Sequence, residues 1–179
     1  EALEIMYAIE PVAVLHGGTA IWRCYNGKRF SEDLDFYVSK SGFTREALEE
    51  QAARRGLSLT KFRKTENNVY ARISNGRTEV SIEAALRLKK GRVLAAFEKA
   101  DGSTAEVYTL GAEELILEKV AAFSSRKLIR DIYDVYFLSG IADIAKVKKE
   151  MRDFLSEKLP LPADEKNLRT LIYSGPCPA

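Results

Sequence analysis

Two acidic residues separated by a single residue, Asp33 and Asp35, follow a glycine pair, Gly17 and Gly18, in the stretch HGGTAIWRCYNGKRFSEDLD. Side chains alternate along a strand, so Asp33 and Asp35 share a face, roughly 7 Å apart. Carboxylates at that spacing repel unless a cation lies between them. Mg²⁺ takes oxygen ligands and completes its shell with substrate phosphates, so it suits such a pair. Two such ions roughly 4 Å apart activate an attacking oxygen and stabilise a departing one. A third acid on a neighbouring strand would complete the site. Glu83 is the first candidate; Glu79 is the second, because Arg72 is expected to occupy it. The glycines supply the other half of the chemistry. Small residues at a strand-to-helix turn leave amide N–H groups open at a helix N-terminus, where phosphate binds. Thr19 is expected to cap that helix. Each motif alone is common, the acids as a surface feature and the glycines as a plain turn. Together and in this order they read as a phosphate and metal site.

The elements that must position these residues show in the periodicity. Residues 2–9 read as a helix stopped by Pro11, and residues 12–15 as a short buried strand. A helix over 19–25 ends at Asn26 and Gly27. Leu34, Phe36 and Val38 mark one face of the acid-bearing strand. A helix over 44–55 and a strand over 57–62 follow. Asn75 and Gly76 read as a two-residue turn that joins strands 69–74 and 77–83. That turn would set Ala71 opposite Val80, Val69 opposite Ile82 and Arg72 opposite Glu79, leaving Glu79, Ser81 and Glu83 on one polar face. Two more β segments are expected within 92–109. Beyond residue 111 the period becomes helical, through Ile116, Val120 and Phe123, then Ile129, Ile132, Tyr133, Tyr136 and Phe137, then Ile144, Val147, Met151 and Phe154. The order predicts an α+β lobe over residues 1–110 followed by a helical C-terminal lobe over 111–179.

Composition sets the outer bounds. The chain has 179 residues, 46% apolar and 30% charged, enough for a buried core. A net charge of +2 does not by itself point to nucleic acid, so the distribution of charge matters more. Basic residues gather at Lys28 and Arg29, at Arg54, Arg55, Lys61, Arg63 and Lys64, and at Arg87, Lys89, Lys90 and Arg92. Such runs usually face solvent; lining one cleft, they would draw an NTP or RNA. Cys24 and Cys177 allow one disulfide, but a reducing cytoplasm is the simpler reading. No apolar run approaches the length of a membrane span, and the first residues lack the features of a signal peptide. The chain opens on Glu1 rather than Met, so further residues are expected upstream.

The glycine turn, Arg23, and the run Arg29-Phe-Ser-Glu-Asp-Leu-Asp35 together resemble the signature of the DNA polymerase beta-like nucleotidyltransferases, and within them the AbiEii/AbiGii toxin family. The later segment agrees: Glu113-Glu-Leu-Ile-Leu-Glu-Lys119-Val-Ala-Ala122, then Arg126, then Arg130-Asp-Ile-Tyr-Asp134-Val-Tyr-Phe-Leu138 resemble that family's helical motifs. The resemblance implies a polymerase-beta-like mixed sheet with helices. It implies an NTP with its phosphates over Gly17, Gly18 and Thr19, and Mg²⁺, or Mn²⁺, held by Asp33 and Asp35. It implies attack by an acceptor hydroxyl on the α-phosphate, the acceptor being RNA such as tRNA, or a protein. The same resemblance gives Lys119 to the triphosphate and makes Asp134 the last catalytic acid, with Asp131 as the alternative. Apart from the family, Lys119 would be a surface residue and Asp134 an i,i+4 partner of Arg130. Arg23 would bind phosphate or pair with Asp33, Arg29 is open in the same way, and Ser31 would bond phosphate or steady the approach to the strand. His16 reads as a structural hydrogen-bonder. A toxin of this kind implies a cognate antitoxin and a cytoplasmic setting. The competing reading from a different class is a non-catalytic module of the same fold that binds a nucleotide or a partner protein.

Overall fold

A computed structural model describes residues 1–39, 43–156, 159–162 and 164–173. Cys177, and with it the question of a disulfide, lies outside the described residues. Among these residues the chain forms one seven-stranded sheet of order β3-β4-β5-β2-β1-β7-β6, with helices on its faces. The strands are β1 (Val14–His16), β2 (Leu34–Tyr37), β3 (Ser58–Lys64), β4 (Asn68–Ser74), β5 (Glu79–Ala85), β6 (Arg92–Glu98) and β7 (Thr104–Leu110). The helices are α1 (Ala2–Ile9), α2 (Gly17–Cys24), α3 (Arg45–Ala53), α4 (Ala112–Arg126), α5 (Ile129–Ser139), α6 (Lys148–Ser156) and the short α7 (Leu168–Leu171). The α+β reading therefore holds.

The centre of the sheet is mixed. β2 runs antiparallel to β1 and parallel to β5, while β1 runs parallel to β7. The strands alternate as the sequence requires. Leu34, Phe36 and Val38 face a core that also takes Leu15, Ile5, Met6, Phe43, Leu48, Ala71 and Ile82. The opposite side of β1 and β2 is covered by α4 and α5. There Val14, Tyr37 and Leu110 meet Leu115, Ile116, Phe123, Val135 and Leu138. Burying each of these large side chains contributes roughly 1.5–3 kcal/mol before entropy is counted. α4 follows its cap residue Gly111 with Glu113 and Glu114 in its first turn and ends with Arg126 in its last, the charge order that the helix dipole favours. Tyr136, expected on the buried stripe of α5, is exposed.

Two local expectations are corrected. The β4–β5 hairpin closes through four residues rather than two, so Ala71 pairs with Ile82, Val69 with Ala84 and Arg72 with Ser81. The cause is the Asn75 side chain, whose Oδ1 accepts from the amides of both Arg77 and Thr78 and folds them into the loop. The slip is even, so Glu79, Ser81 and Glu83 keep their common face. The second correction is at α2, which begins two residues earlier than expected, with His16 as its N-cap. Thr19 lies inside the first turn and its hydroxyl donates instead to the backbone oxygen of Asp33 at 2.5 Å.

Candidate active site

The site is built where β1 turns into α2. Gly17 adopts φ +71°, a left-handed conformation that costs a side-chain-bearing residue about 1–2 kcal/mol. Space forbids a side chain as well. A Cβ on Gly17 would run into the carboxylate of Asp35, and one on Gly18 would sit 2.6 Å from both Arg29 Nη2 and Ser31 Oγ. The glycines thus let the acid-bearing strand and its approach loop close onto the helix N-terminus. The Thr19 hydroxyl stitches the same loop to the helix's first turn.

Asp35 lies opposite His16 on β1 and opposite Glu83 on β5, so the three side chains form a row across adjacent strands. Asp33 precedes β2 by one residue and interacts electrostatically with both other acids. Burial pushes the Asp35 carboxyl above its usual range; His16 and Lys119 pull against this, and Asp33 adds to it. Glu83 is raised by burial and then by the charges of Asp35 and Asp33. Glu79 is engaged elsewhere, 3.6 Å from Arg72 and hydrogen-bonded by Thr60 at 2.9 Å. Among the described residues no three His, Cys, Asp or Glu side chains close into a ready-made cation cage. The donor set is nevertheless of the hard-oxygen kind. Two or three carboxylates short of a full shell fit an ion that takes its remaining ligands from substrate phosphates and water.

The helical motifs meet this row from the other side. Asp134, 1% exposed, accepts from Arg29 Nε and Nη2 at 2.9 Å each and lies 2.7 Å from the Lys119 ammonium. Asp131, fully buried, accepts two hydrogen bonds from Arg126 at 2.7 Å and lies 3.6 Å from Lys119. Burial would raise the Asp131 carboxyl, but the Arg126 hydrogen bond and the Lys119 charge outweigh it and hold it below the usual range. The expected i,i+4 partner of Asp134, Arg130, is replaced by Arg29 from the loop before β2. A charge buried this deeply needs donors on several sides, and the bidentate Arg29 fork supplies two. Arg23 is not brought to this site. Its guanidinium lies over the Trp22 ring, 3.6 Å from the centroid, rather than beside Asp33.

A cleft of about 700 Å³ opens between the sheet and α4. Gly17, Asp35, Lys119 and Arg126 line one end, and Tyr37, Arg87, Lys89 and Glu118 the other. His16 stacks on Tyr37 with ring centroids 4.0 Å apart. Glu118 joins them, accepting from the Tyr37 hydroxyl at 2.5 Å and lying 3.0 Å from His16 Nδ1. Burial pushes the Tyr37 phenol up to about 12, so it stays a donor. The structural role expected of His16 matches these contacts. The sequence reading gave no role to Tyr37 or Glu118. Tyr37 carried a usable signal, since it follows Asp33 and Asp35 at the same parity on one strand.

Strand order and the placement of the helices give the mixed α+β fold of the polymerase-beta-like nucleotidyltransferases. A solved Helicobacter pylori protein, JHP933, is similar over 94% of this chain and 75% of its own, with 21% identity and a TM-score of 0.60. MenT4, a nucleotidyltransferase toxin from Mycobacterium tuberculosis, is similar over 83% of this chain and 60% of its own, with 21% identity and a TM-score of 0.59. The structure of ANT(2")-Ia in complex with adenylyl-2"-tobramycin is similar over 87% of this chain and 95% of its own, with 16% identity and a TM-score of 0.56. No curated protein matches the chain. The family model described as the nucleotidyl transferase AbiEii toxin, type IV TA system, matches residues 5–172. The chain belongs to that family, which makes it a nucleotidyltransferase of the toxin–antitoxin class. Among the described residues no helix is long and apolar enough to cross a membrane.

Proposed function

We propose that the protein transfers a nucleoside monophosphate from an NTP to an RNA acceptor, with Mg²⁺ held at Asp33 and Asp35 and Glu83 as the third acid. The observation that carries this reading is the row of Asp35 and Glu83 set against the Gly17 turn. The amides of the first α2 turn, that of Thr19 among them, would receive the phosphates beside that row. When bound, Mg²⁺ supplies charge neutralisation between the acids and the phosphates. Lys119, braced by Asp134, faces the phosphates from α4. The acceptor oxygen forms a bond to the α-phosphorus, the bond to the bridging oxygen breaks, and pyrophosphate leaves with that electron pair. The hydroxyl proton passes to a carboxylate of the acid row. The chain acts by positioning and electrostatics, with no covalent intermediate. Residues 1–110 would carry the acids and residues 111–179 the cation that opposes them.

RNA is favoured as acceptor by the sheet face beyond Glu83. Tyr70 lies opposite Glu83, Arg63 opposite Tyr70, and Lys61 opposite Arg72, so the acids continue into an exposed basic surface with an aromatic ring at its centre. Such a surface suits a single strand, its phosphates on the cations and a base on the ring. The test is incubation of the purified protein with each α-³²P-labelled NTP, Mg²⁺ and total cellular RNA, beside Asp33→Ala. Label in RNA with wild type alone is the expected result and names the base. Label in protein would replace the acceptor, and no label in either would overturn the reading.

A further inference from the structure

The cleft contains more cations than the motifs account for, and those the motifs name are largely neutralised already. Arg29, Lys119 and Arg126 share the two buried carboxylates of Asp131 and Asp134. Asp33, Asp35 and Glu83 add further negative charge beside them. A triphosphate entering at the Gly17 turn needs positive charge that is not already spent. The opposite end of the cleft holds it. Arg87 lies over the Tyr37 ring, 4.9 Å from its centroid, and donates from Nη2 to the Tyr37 hydroxyl at 3.2 Å. No carboxylate pairs with Arg87 among the described residues. Lys89 sits 5.4 Å from the same ring centroid and 3.6 Å from Glu118 Oε1. That one carboxylate already takes the Tyr37 hydroxyl and lies within hydrogen-bond distance of His16.

Distance favours the same assignment. Tyr37 follows Asp35 by two residues on β2, on the same face and roughly 7 Å along the strand. A nucleotide whose α-phosphate lies at the acid row would carry its two outer phosphates across that interval. We propose that Arg87 and Lys89 form the subsite for the β- and γ-phosphates of the NTP, with Tyr37 as the platform that holds both cations over the cleft. The subsite rests on the nucleotidyl-transfer reading above. It also provides for release, since both cations would draw on the departing pyrophosphate, which keeps both of those phosphates.

The experiment compares binding of each NTP and the matching NMP, with Mg²⁺, to wild type, to Arg87→Ala/Lys89→Ala and to the charge-conserving swap Arg87→Lys/Lys89→Arg. Wild type is expected to prefer the triphosphate. The double alanine variant loses that preference, roughly tenfold or more for each charged contact removed, while NMP affinity stays level. The swap keeps most of the preference. An intact preference in the alanine variant overturns the subsite. Equal weakening of NTP and NMP also overturns it, because the residues would then contact base or ribose. Wild type that binds no NTP overturns the transfer reading together with the subsite, whereas an intact wild-type preference beside an unchanged variant refutes the subsite alone.

Discussion

Replacing Asp35 by Asn should stabilise the metal-free protein while removing its activity. Asp35 is held above the normal carboxylate range by burial first and by Asp33 in addition, so its ionised form is the one that the fold disfavours. Two unit charges about 7 Å apart at an effective dielectric of about 20 repel by about 2 kcal/mol. Asp33 is half-buried and Glu83 exposed, so solvent screens part of this. Asn also gives up the attraction of Asp35 to Lys119 and Arg126. The net expectation is a gain of about 1 kcal/mol in chelator, a melting point roughly 2–4 °C higher for a chain of this size. The pH dependence has a definite sign. A carboxyl with a raised folded pKa contributes stability that is fully present below the ordinary value, near 4, and lost as pH rises through the folded value. Wild type in chelator should therefore gain stability on acidification from neutrality through that window, and Asp35→Asn should gain less. Asp131 and Glu118, both held low, act in the opposite sense at lower pH, where their protonation destabilises the fold. Thermal melts across pH, with and without Mg²⁺, read all of this. Mg²⁺ should raise the wild-type melting point and leave Asp35→Asn nearly unchanged. A variant that melts below wild type in chelator would refute the argument that these carboxylates are crowded and await a cation.

Two further perturbations address the frame of the site. Arg29→Met strands the buried Asp134 with Lys119 alone and should cost about 3–5 kcal/mol, read as a lower urea midpoint; Arg29→Lys, which lacks the two-pronged fork, should fall between that variant and wild type. Gly17→Ala forces a Cβ both into left-handed backbone and against the Asp35 carboxylate, so it should cost at least about 1–2 kcal/mol in a thermal melt and abolish label transfer. Adding Asp35→Ala to it should restore part of the stability and none of the activity, and a Gly17→Ala protein with unchanged melting and transfer would remove the close approach from the account.

What could be read from the sequence divides along the range of the interaction. The glycine turn, the acid pair and the helix after it are local signals, set by backbone freedom and strand parity within a few residues. The parity of β5 also held, so Glu83 stands on the face of Asp35 even though the hairpin register slipped by two. The slip itself came from a side chain, Asn75, that lengthened its own turn, which a two-residue pattern does not encode. The ion network escaped for a different reason. Arg29 and Asp134 are 105 positions apart, and nothing near Asp134 marks a partner on a loop before β2. Nearby Arg130 looked sufficient because the i,i+4 rule holds for exposed pairs, whereas a carboxylate with 1% exposure takes its donors from wherever the fold supplies them. The Tyr37 and Glu118 pairing is equally non-local, joining a strand to α4 across 81 positions.

That separation along the chain has a consequence for synthesis. β1 is paired on one side with β2 and on the other with β7, whose Thr109 hydroxyl bonds the Leu15 carbonyl across 94 positions. A chain leaving the ribosome carries both aspartates and both glycines early, yet the strand that positions them has no second neighbour until β7 emerges. Lys119 and its brace Asp134 come later still. At about 5–20 residues per second, the interval between Asp35 and Asp134 is roughly 5–20 s. Throughout that interval the nascent chain has acids without the braced cation that opposes them, so no partial product can assemble the site. The topology thus acts as a timer, and a toxin built this way becomes competent only once the helices that follow its sheet have been made.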